Sequence, residues 1–187
     1  MAVREIVLYP DPVLKRTCRP VEDITPEIES LLDDLVDTMR DSPGVGLAAP
    51  QLGQLWRAIV VDVTPRHPGH GLLLLINPEI VLLEGSKVVR EGCLSIPEFT
   101  ASVLRAERCV VRALDRHRNT VVYESSGLEA ICLQHEVDHL DGVLFLDRVA
   151  CLKTDVFGRK GVQPRFRPED HPILTGGQAQ ASPAGKE

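Results

Sequence analysis

The segment at 135–139, His-Glu-Val-Asp-His, constrains this chain more than any other. It lies in a stretch from Leu128 to Asp141 whose apolar residues wrap much of a helical circumference, which predicts a buried helix. Residues four apart share one helical face, so His135 and His139 can bind the same metal ion, with Glu136 placed to handle a proton of a bound water. Burying two imidazoles and two carboxyls is costly unless something binds them, which favours a metal site.

Two histidines do not hold a metal ion, so a further ligand is needed. The metzincin pattern would place it at Phe145, which cannot coordinate, and that class is excluded. Cys132 is about 10 Å of helix rise from His139, which favours a core cysteine. Cys93 lies in a sharp segment between glycine and proline, and taken alone its surroundings favour a structural role.

A site with three protein ligands leaves one position open, as catalytic metal sites do. No close cysteine pair indicates a closed structural zinc site. One thiolate and two imidazoles suit zinc, iron(II), nickel or cobalt, so the ligand types do not select the metal.

The glycine-rich segment 44–53 resembles a phosphate-binding loop only superficially. Such loops follow a strand and open a helix, whereas this segment follows a predicted helix and contains Pro50. A flexible connector is one interpretation. The other is a functional loop in which the amide of Gln51 donates a hydrogen bond to a developing oxyanion.

Composition excludes several functional classes. The chain has 187 residues, is 43% hydrophobic, 26% charged and 4% aromatic, and carries a net charge of −6. These values predict a globular protein and argue against nucleic-acid binding through bulk charge. The longest apolar run, 72–76, is far shorter than the roughly 20 residues that span a membrane. No export signal is evident, and five cysteines are expected to be reduced thiols in a cytoplasmic protein.

The order of elements predicts one metallohydrolase domain over residues 1–160 and an irregular, partly disordered C-terminal tail over 161–187. A first helix is expected from Pro26, capped by Thr25, to the turn at 42–44. Ser126 and Glu129 fit a capping box for the motif helix, and Gly142 fits its stop. Strands are predicted at Trp56–Val63, Leu72–Asn77, Glu79–Leu83, Lys87–Arg90, Val103–Asp115 and Thr120–Glu124, with a turn at Arg116–Asn119.

Three segments together resemble the motifs of the peptide deformylase family, in the family's order and spacing. They are Gly44-Val-Gly46-Leu-Ala-Ala-Pro-Gln51, Glu91-Gly-Cys-Leu-Ser95 and Gln134-His-Glu-Val-Asp-His139. The opening Tyr9-Pro-Asp-Pro-Val-Leu14 is also similar, and the resemblance covers about residues 2–150.

The resemblance implies an α+β fold, with small antiparallel sheets packed around the buried helix that carries the histidine motif. It implies an enzyme that hydrolyses the formyl group from the initiator methionine of nascent polypeptides, with possible transient contact to the ribosome. Cys93, His135 and His139 would hold one divalent metal, natively iron(II), with zinc, nickel or cobalt possible in isolated protein. Specific nucleic-acid partners and a membrane are not implied.

The remaining roles follow from the same resemblance. Glu136 would be the general base and acid, and Gln51 and the backbone N–H of Leu94 would bind the oxyanion. Gly46 would meet the substrate backbone, and Ile131 and Cys132 would line the methionine pocket.

The chain departs from the family pattern in two places. Members of the family commonly have, two positions after the residue that corresponds to Glu98, an arginine that contacts the substrate. In this chain Phe99-Thr100 occupies that stretch, so the arginine is absent. This leaves open an alternative, a related metalloamidase acting on another N-acyl peptide. The prolines and glycines of the tail are incompatible with the long basic helix that many bacterial members use at the ribosome.

Overall fold

The computed structural model of the chain describes residues 2–171. Its helices are α1 (Pro26–Asp41), α2 (Gly127–Leu140) and the short α3 (Leu152–Asp155), and 3₁₀ turns occupy Pro12–Lys15, Ala49–Leu52, Phe145–Arg148 and Pro168–Asp170. Its strands are β1 Gly46–Ala48, β2 Ala58–Val61, β3 Leu73–Glu84, β4 Lys87–Cys93, β5 Ile96–Arg105, β6 Arg108–Leu114, β7 Thr120–Ser126 and β8 Val156–Gly158.

The strands form two antiparallel sheets. Five of them pair in the order β1-β2-β3-β6-β7, and β4, β5 and β8 make a smaller sheet. The helix α2 packs its apolar side chains, Leu133 and Leu140 among them, into a core shared with β2, β3 and β6. The predicted α+β fold, with small antiparallel sheets around a buried motif helix, is confirmed.

The motif helix lies close to its predicted bounds, but its N-terminal cap differs. Gly142 has a φ of 71° and ends the helix, as expected. The capping box is wrong, because the Ser126 side chain makes no cap hydrogen bond. The carboxylate of Glu129 instead accepts hydrogen bonds from the backbone N–H of His70 and from Ser125 Oγ. Glu129 is buried and therefore uses its hydrogen-bonding capacity on neighbouring segments rather than on its own helix end.

Two predicted strand boundaries are wrong. The expected strand Val103–Asp115 is divided into β5 and β6 at Ala106, whose backbone N–H and C=O both bind the side chain of Gln134 on α2. Conversely, the two strands expected on either side of Pro78 are one strand, β3. Its pairing with β6 shifts register after Ile76, which accommodates Pro78 and the positive φ of Asn77.

The glycine-rich segment 44–53 is more ordered than a turn. It forms β1, which pairs with β2, and then the 3₁₀ turn Ala49–Leu52. Gly53 follows with a φ of 73°, a left-handed conformation that suits glycine. This segment therefore has regular secondary structure, a paired strand and a 3₁₀ turn, and is not an irregular connector.

Residues 161–171 follow β8 without helices or strands apart from a 3₁₀ turn. His171 is nevertheless buried, with its Nδ1 2.8 Å from the hydroxyl of Tyr9 and its Nε2 2.5 Å from Asp147 Oδ1. Residues 172–187, which include most of the predicted disordered tail, lie outside the described part of the chain. Among the described residues no helix is long and apolar enough to cross a membrane.

Replacing Leu133 with alanine is expected to lower the free energy of unfolding by about 2–5 kcal/mol, because this fully buried side chain would leave a cavity beneath α2. Leu104→Ala is the matched control, since the same change at a side chain that is 60% exposed creates no cavity. Urea unfolding followed by circular dichroism measures both values. Equal losses for the two variants would contradict the placement of α2 in the core.

Candidate metal centre

The end of β4 meets α2 and brings three potential metal ligands together. One ligand atom from each of Cys93, His135 and His139 lies within 4.8 Å of the others, and all three residues are buried. Cys93 Sγ is 3.2 Å from His139 Nε2. The register of β4 and β5 shifts at Gly92/Cys93, where the chain turns sharply. The sequence alone left the third ligand open, and the fold brings Cys93 to this position.

Glu91 orients the first histidine from the same strand. Its Oε2 is 3.0 Å from His135 Nδ1, which leaves Nε2 as the ring nitrogen available to a metal. Burial raises the pKa of Glu91, but hydrogen bonds from His135 and Arg105 outweigh it and bring the pKa to about 2. Sequence reasoning gave Glu91 no role. Its position two residues before Cys93, on the same face of a strand, is the signal that could have found it.

Arg105, at the end of β5, links β4 to the motif helix α2. Its Nε and Nη2 donate to the two carboxylate oxygens of Glu91 at 2.6 and 3.0 Å, and its Nη1 donates to Asp138 Oδ2 at 2.6 Å. All three side chains are at least 90% buried. The bidentate geometry suits a guanidinium and a carboxylate, and it fixes β4 against α2. The sequence analysis did not assign a role to Arg105 or Asp138.

Several observations fit these residues to a metal ion. Glu136 Oε2 is buried beside the three ligand atoms, and within residues 2–171 it has no hydrogen-bond partner. Burial, together with the nearby His135, lowers the pKa of His139 well below its ordinary value, which favours the neutral imidazole. Interactions with Cys93 and Glu91 outweigh burial at His135 and raise its pKa well above the ordinary value. Burial raises the pKa of the Cys132 thiol well above its ordinary value, which disfavours it as a thiolate ligand.

The side chain of Glu136 lies beside this cluster, and its carboxyl is suited to proton transfer. Burial raises its pKa to about 7, close to the value at which a group both accepts and returns a proton at neutral pH. A Cβ at Gly46 would overlap Glu136 Oε1 and Cys132 Sγ, so a side chain there would collide with the carboxylate. The glycine therefore allows β1 to approach α2 closely.

A cavity of about 590 Å³ opens onto the cluster. Eight of the nine predicted site residues line it: Gly46, Gln51, Cys93, Leu94, Ile131, Cys132, His135 and Glu136. His139, the ninth, is 1% exposed and contacts Cys93. The fold thus brings the nine predicted residues together around this cavity.

Gln51 is held with its amide nitrogen toward Cys93. Its Oε1 accepts a hydrogen bond from the backbone N–H of Ala48 at 2.9 Å. Its Nε2 donates to Ser95 Oγ at 3.1 Å and to Cys93 Sγ at 3.6 Å. Because the oxygen is occupied by the backbone, the amide nitrogen is turned toward the metal cluster, where Ser95 and Cys93 accept its two N–H groups. Ser95 is a partner that the sequence analysis did not single out.

A histidine pair on a buried helix, a cysteine from an adjacent strand end and a buried carboxyl beside them are the arrangement of a metal-dependent hydrolase. Phe145, which excluded the metzincin pattern, packs its ring on that of His135 with centroids 6.3 Å apart.

Comparison with known proteins identifies the family within this class. The sequence model of the polypeptide deformylase family matches residues 3–155. A peptide deformylase of Thermodesulfovibrio yellowstonii is 46% identical over 160 residues, covering 86% of this chain and 97% of the relative. The crystal structure of a peptide deformylase from Legionella pneumophila superposes with a TM-score of 0.76 at 43% identity, over 81% of this chain and 89% of that one. The structure of the Thermotoga maritima enzyme superposes with a TM-score of 0.75 at 36% identity, over 81% of this chain and all of that one.

The chain belongs to the polypeptide deformylase family. Its activity is the removal of the N-formyl group from nascent polypeptides, in a reaction that is metal-dependent in this family. The expected formyl-peptide hydrolase is confirmed, and the available Cys-His-His cluster agrees with the metal dependence.

Replacing Arg105 with alanine is expected to lower the free energy of unfolding by about 3–5 kcal/mol, because it leaves the buried carboxylates of Glu91 and Asp138 without their shared cation. Arg112→Ala breaks the exposed ion pair with Glu79 and is expected to cost at most about 1 kcal/mol. Denaturant unfolding of the two variants side by side provides the measurement, and a small loss for Arg105→Ala would mean that the network does not join β4 to α2.

Proposed function

We propose that the chain hydrolyses N-formylmethionyl peptides with one divalent metal ion held by Cys93, His135 and His139. The observation that carries this assignment is the convergence of the three ligand atoms within 4.8 Å, beside a buried carboxyl. Iron(II) is the metal that we assign in the cell, on the family resemblance. Zinc, nickel and cobalt are compatible with one thiolate and two imidazoles in isolated protein.

Glu136 moves the proton. A divalent metal at this site supplies Lewis acidity, which lowers the pKa of water toward neutrality. Glu136 accepts the proton released as water attacks the formyl carbon, and its raised pKa suits that step. It then returns the proton to the nitrogen of the departing methionine, so that one carboxyl serves both halves of the reaction and formate leaves.

Gln51 and Leu94 stabilise the oxyanion in this proposal. The Nε2 donor of Gln51 is fixed by the hydrogen bond of its oxygen to Ala48. Leu94 lies in the tight turn that joins β4 to β5, and its backbone N–H is the second donor. Donors held in place before the reaction stabilise the developing charge without reorganising.

Substrate is held by the walls of the same cavity. Gly46 on β1 presents its backbone to the peptide, since this residue has no side chain and the strand lies close to Glu136. Ile131 and Cys132 on α2 line the cavity, and we assign them to the pocket for the methionine side chain. Their apolar character suits a thioether.

The proposal also includes the location of the enzyme in the cell and the part of the chain that carries catalysis. We assign the enzyme to the cytoplasm, where nascent formylated chains are produced, with transient ribosome contact as the means of meeting them. We assign catalysis to residues 1–160 and give 161–187 no catalytic group, although His171 in that segment packs against Tyr9 and Asp147. Proposed ligands and catalytic groups all precede residue 140, which supports that division.

Replacing Glu136 with glutamine is expected to lower kcat by about 10²-fold or more while metal content stays unchanged, because only the proton carrier is lost. Formate release from formyl-Met-Ala-Ser, with anaerobically prepared iron protein, measures the rate. Metal analysis of the same samples is the control. Turnover at the wild-type rate in fully loaded variant protein would exclude the proton-transfer role.

Replacing Gln51 with alanine is expected to reduce kcat by about 10²–10³-fold, the usual cost of losing one oxyanion donor. Gln54→Ala is the matched control, since Gln54 is exposed three residues away and does not line the cavity. The same formate assay serves for both variants. An equal effect of the two substitutions would remove Gln51 from the oxyanion site.

A further inference from the structure

The mouth of the active-site cavity carries positive charge. Arg66, Arg90 and Arg159 all line the cavity, and all three are exposed. Within residues 2–171 none of the three forms an ion pair with a carboxylate, whereas many other arginines of the chain do. Arg66 donates to the carbonyl of Pro43 and Arg90 to Thr100 Oγ1, but these neutral partners leave the positive charge of the rim uncompensated.

The carboxylates of the cavity do not neutralise this charge. Glu91 and Glu136 are 6% and 4% exposed and lie at the buried end, near the metal ligands. Glu91 is already paired with Arg105. The cavity is thus polarised, with cations at its solvent-facing rim and carboxyls at its base.

The short strand β8 places Arg159 at the rim. This strand pairs with β5, and the backbone N–H of Arg159 donates to the carbonyl of Glu98 at 2.8 Å. A Cβ at Gly92 would overlap Arg159 Nη2, so the guanidinium lies against the backbone immediately before Cys93. The guanidinium of Arg159 therefore lines the cavity wall next to the proposed metal ligand Cys93.

Arg90, on β4, is held by residues of the neighbouring strands β5 and β8. Its Nε donates to Thr100 Oγ1 at 2.8 Å, and its guanidinium stacks 3.4 Å from the ring centroid of Phe157 on β8. These contacts hold Arg90 in place without neutralising its charge. Thr100 thus orients a cation on the neighbouring strand.

We propose that Arg159, together with Arg90, determines substrate specificity by selecting formylmethionyl peptides that carry an acidic side chain at the second or third residue. The inference rests on the proposed function of this same site and adds a substrate class to it. A guanidinium binds a carboxylate through two parallel hydrogen bonds, and two guanidinium groups that line one cavity favour an anion over a neutral amide. A cleft lined by one sign of charge also concentrates ligands of the opposite sign.

The expected preference is modest because the rim is exposed to solvent. We expect kcat/KM to be about two- to fivefold higher for an acidic peptide than for its neutral amide counterpart, as exposed ion pairs contribute up to about 1 kcal/mol. The ratio is expected to decline as salt rises, since the charges are screened.

The test compares peptides that differ only in charge. Formyl-Met-Asp-Ala and formyl-Met-Asn-Ala, and the pair with the Asp or Asn at the third position, are used with amidated C-termini so that no terminal carboxylate competes for the arginines. The ratio of kcat/KM for each pair is measured at low and high salt in wild type and in Arg159→Gln, Arg159→Lys and Lys160→Gln. Lys160→Gln removes the same charge one residue further on, from an exposed side chain that does not line the cavity.

The proposal predicts an acidic preference in wild type for at least one pair, its loss in Arg159→Gln, and its retention in Arg159→Lys and Lys160→Gln. A wild-type ratio of one at low salt would overturn it. So would a fall of the same factor for acidic and neutral peptides in Arg159→Gln, which would indicate contact with the peptide backbone, or an equal effect of Lys160→Gln. Absence of formate release from every peptide would instead contradict the proposed function, so the two failures are distinguishable.

Discussion

The buried contact of Arg105 with Glu91 and Asp138 is the interaction on which the site depends. Glu91 lies on β4 two residues before Cys93, and Asp138 lies on α2 between the two motif histidines. One guanidinium bridges both carboxylates, and Arg148 Nε reaches Asp138 from the following 3₁₀ turn at 2.8 Å. Buried charges are tolerated only when their partners are all present, so this network specifies how the strand end meets the helix. The proximity of the cysteine to the histidines follows from it.

The same network also orients one of the proposed metal ligands. Glu91 accepts from Arg105 and also engages His135 Nδ1, so the carboxylate that joins the two elements also orients a ligand. Glu136, on the same helix, forms no ion pair within residues 2–171, and burial outweighs the nearby His135 and Arg105 and raises its pKa to about 7. Two buried glutamates in one cavity thus have opposite properties, one held ionised and one able to exchange a proton.

Much of this arrangement could be predicted from the sequence, because its elements have local signals. The spacing of His135 and His139 and the glycine stop at Gly142 indicated the helix and its metal-binding face. The strand divided at Ala106 and the role of Arg105 could not be predicted, because both depend on contacts with α2 that are distant in sequence. Helix rise already disfavoured Cys132, but the choice of Cys93 needed the family resemblance, since spacing along the chain does not show which distant cysteine meets the histidines. The arginines at the rim carry no local signal, because the fold brings Arg66, Arg90 and Arg159 to one cavity from three separate segments.

The most direct test of the account is X-ray absorption spectroscopy of the zinc-loaded protein, compared with its Cys93→Ser and Cys132→Ser variants. The account predicts one sulfur at about 2.3 Å and nitrogen or oxygen ligands at about 2.0–2.1 Å, which include two imidazoles. The sulfur shell should disappear in Cys93→Ser and persist in Cys132→Ser. A wild-type spectrum without sulfur, or a sulfur shell that survives the loss of Cys93, would contradict the assignment of Cys93, His135 and His139 as the metal ligands.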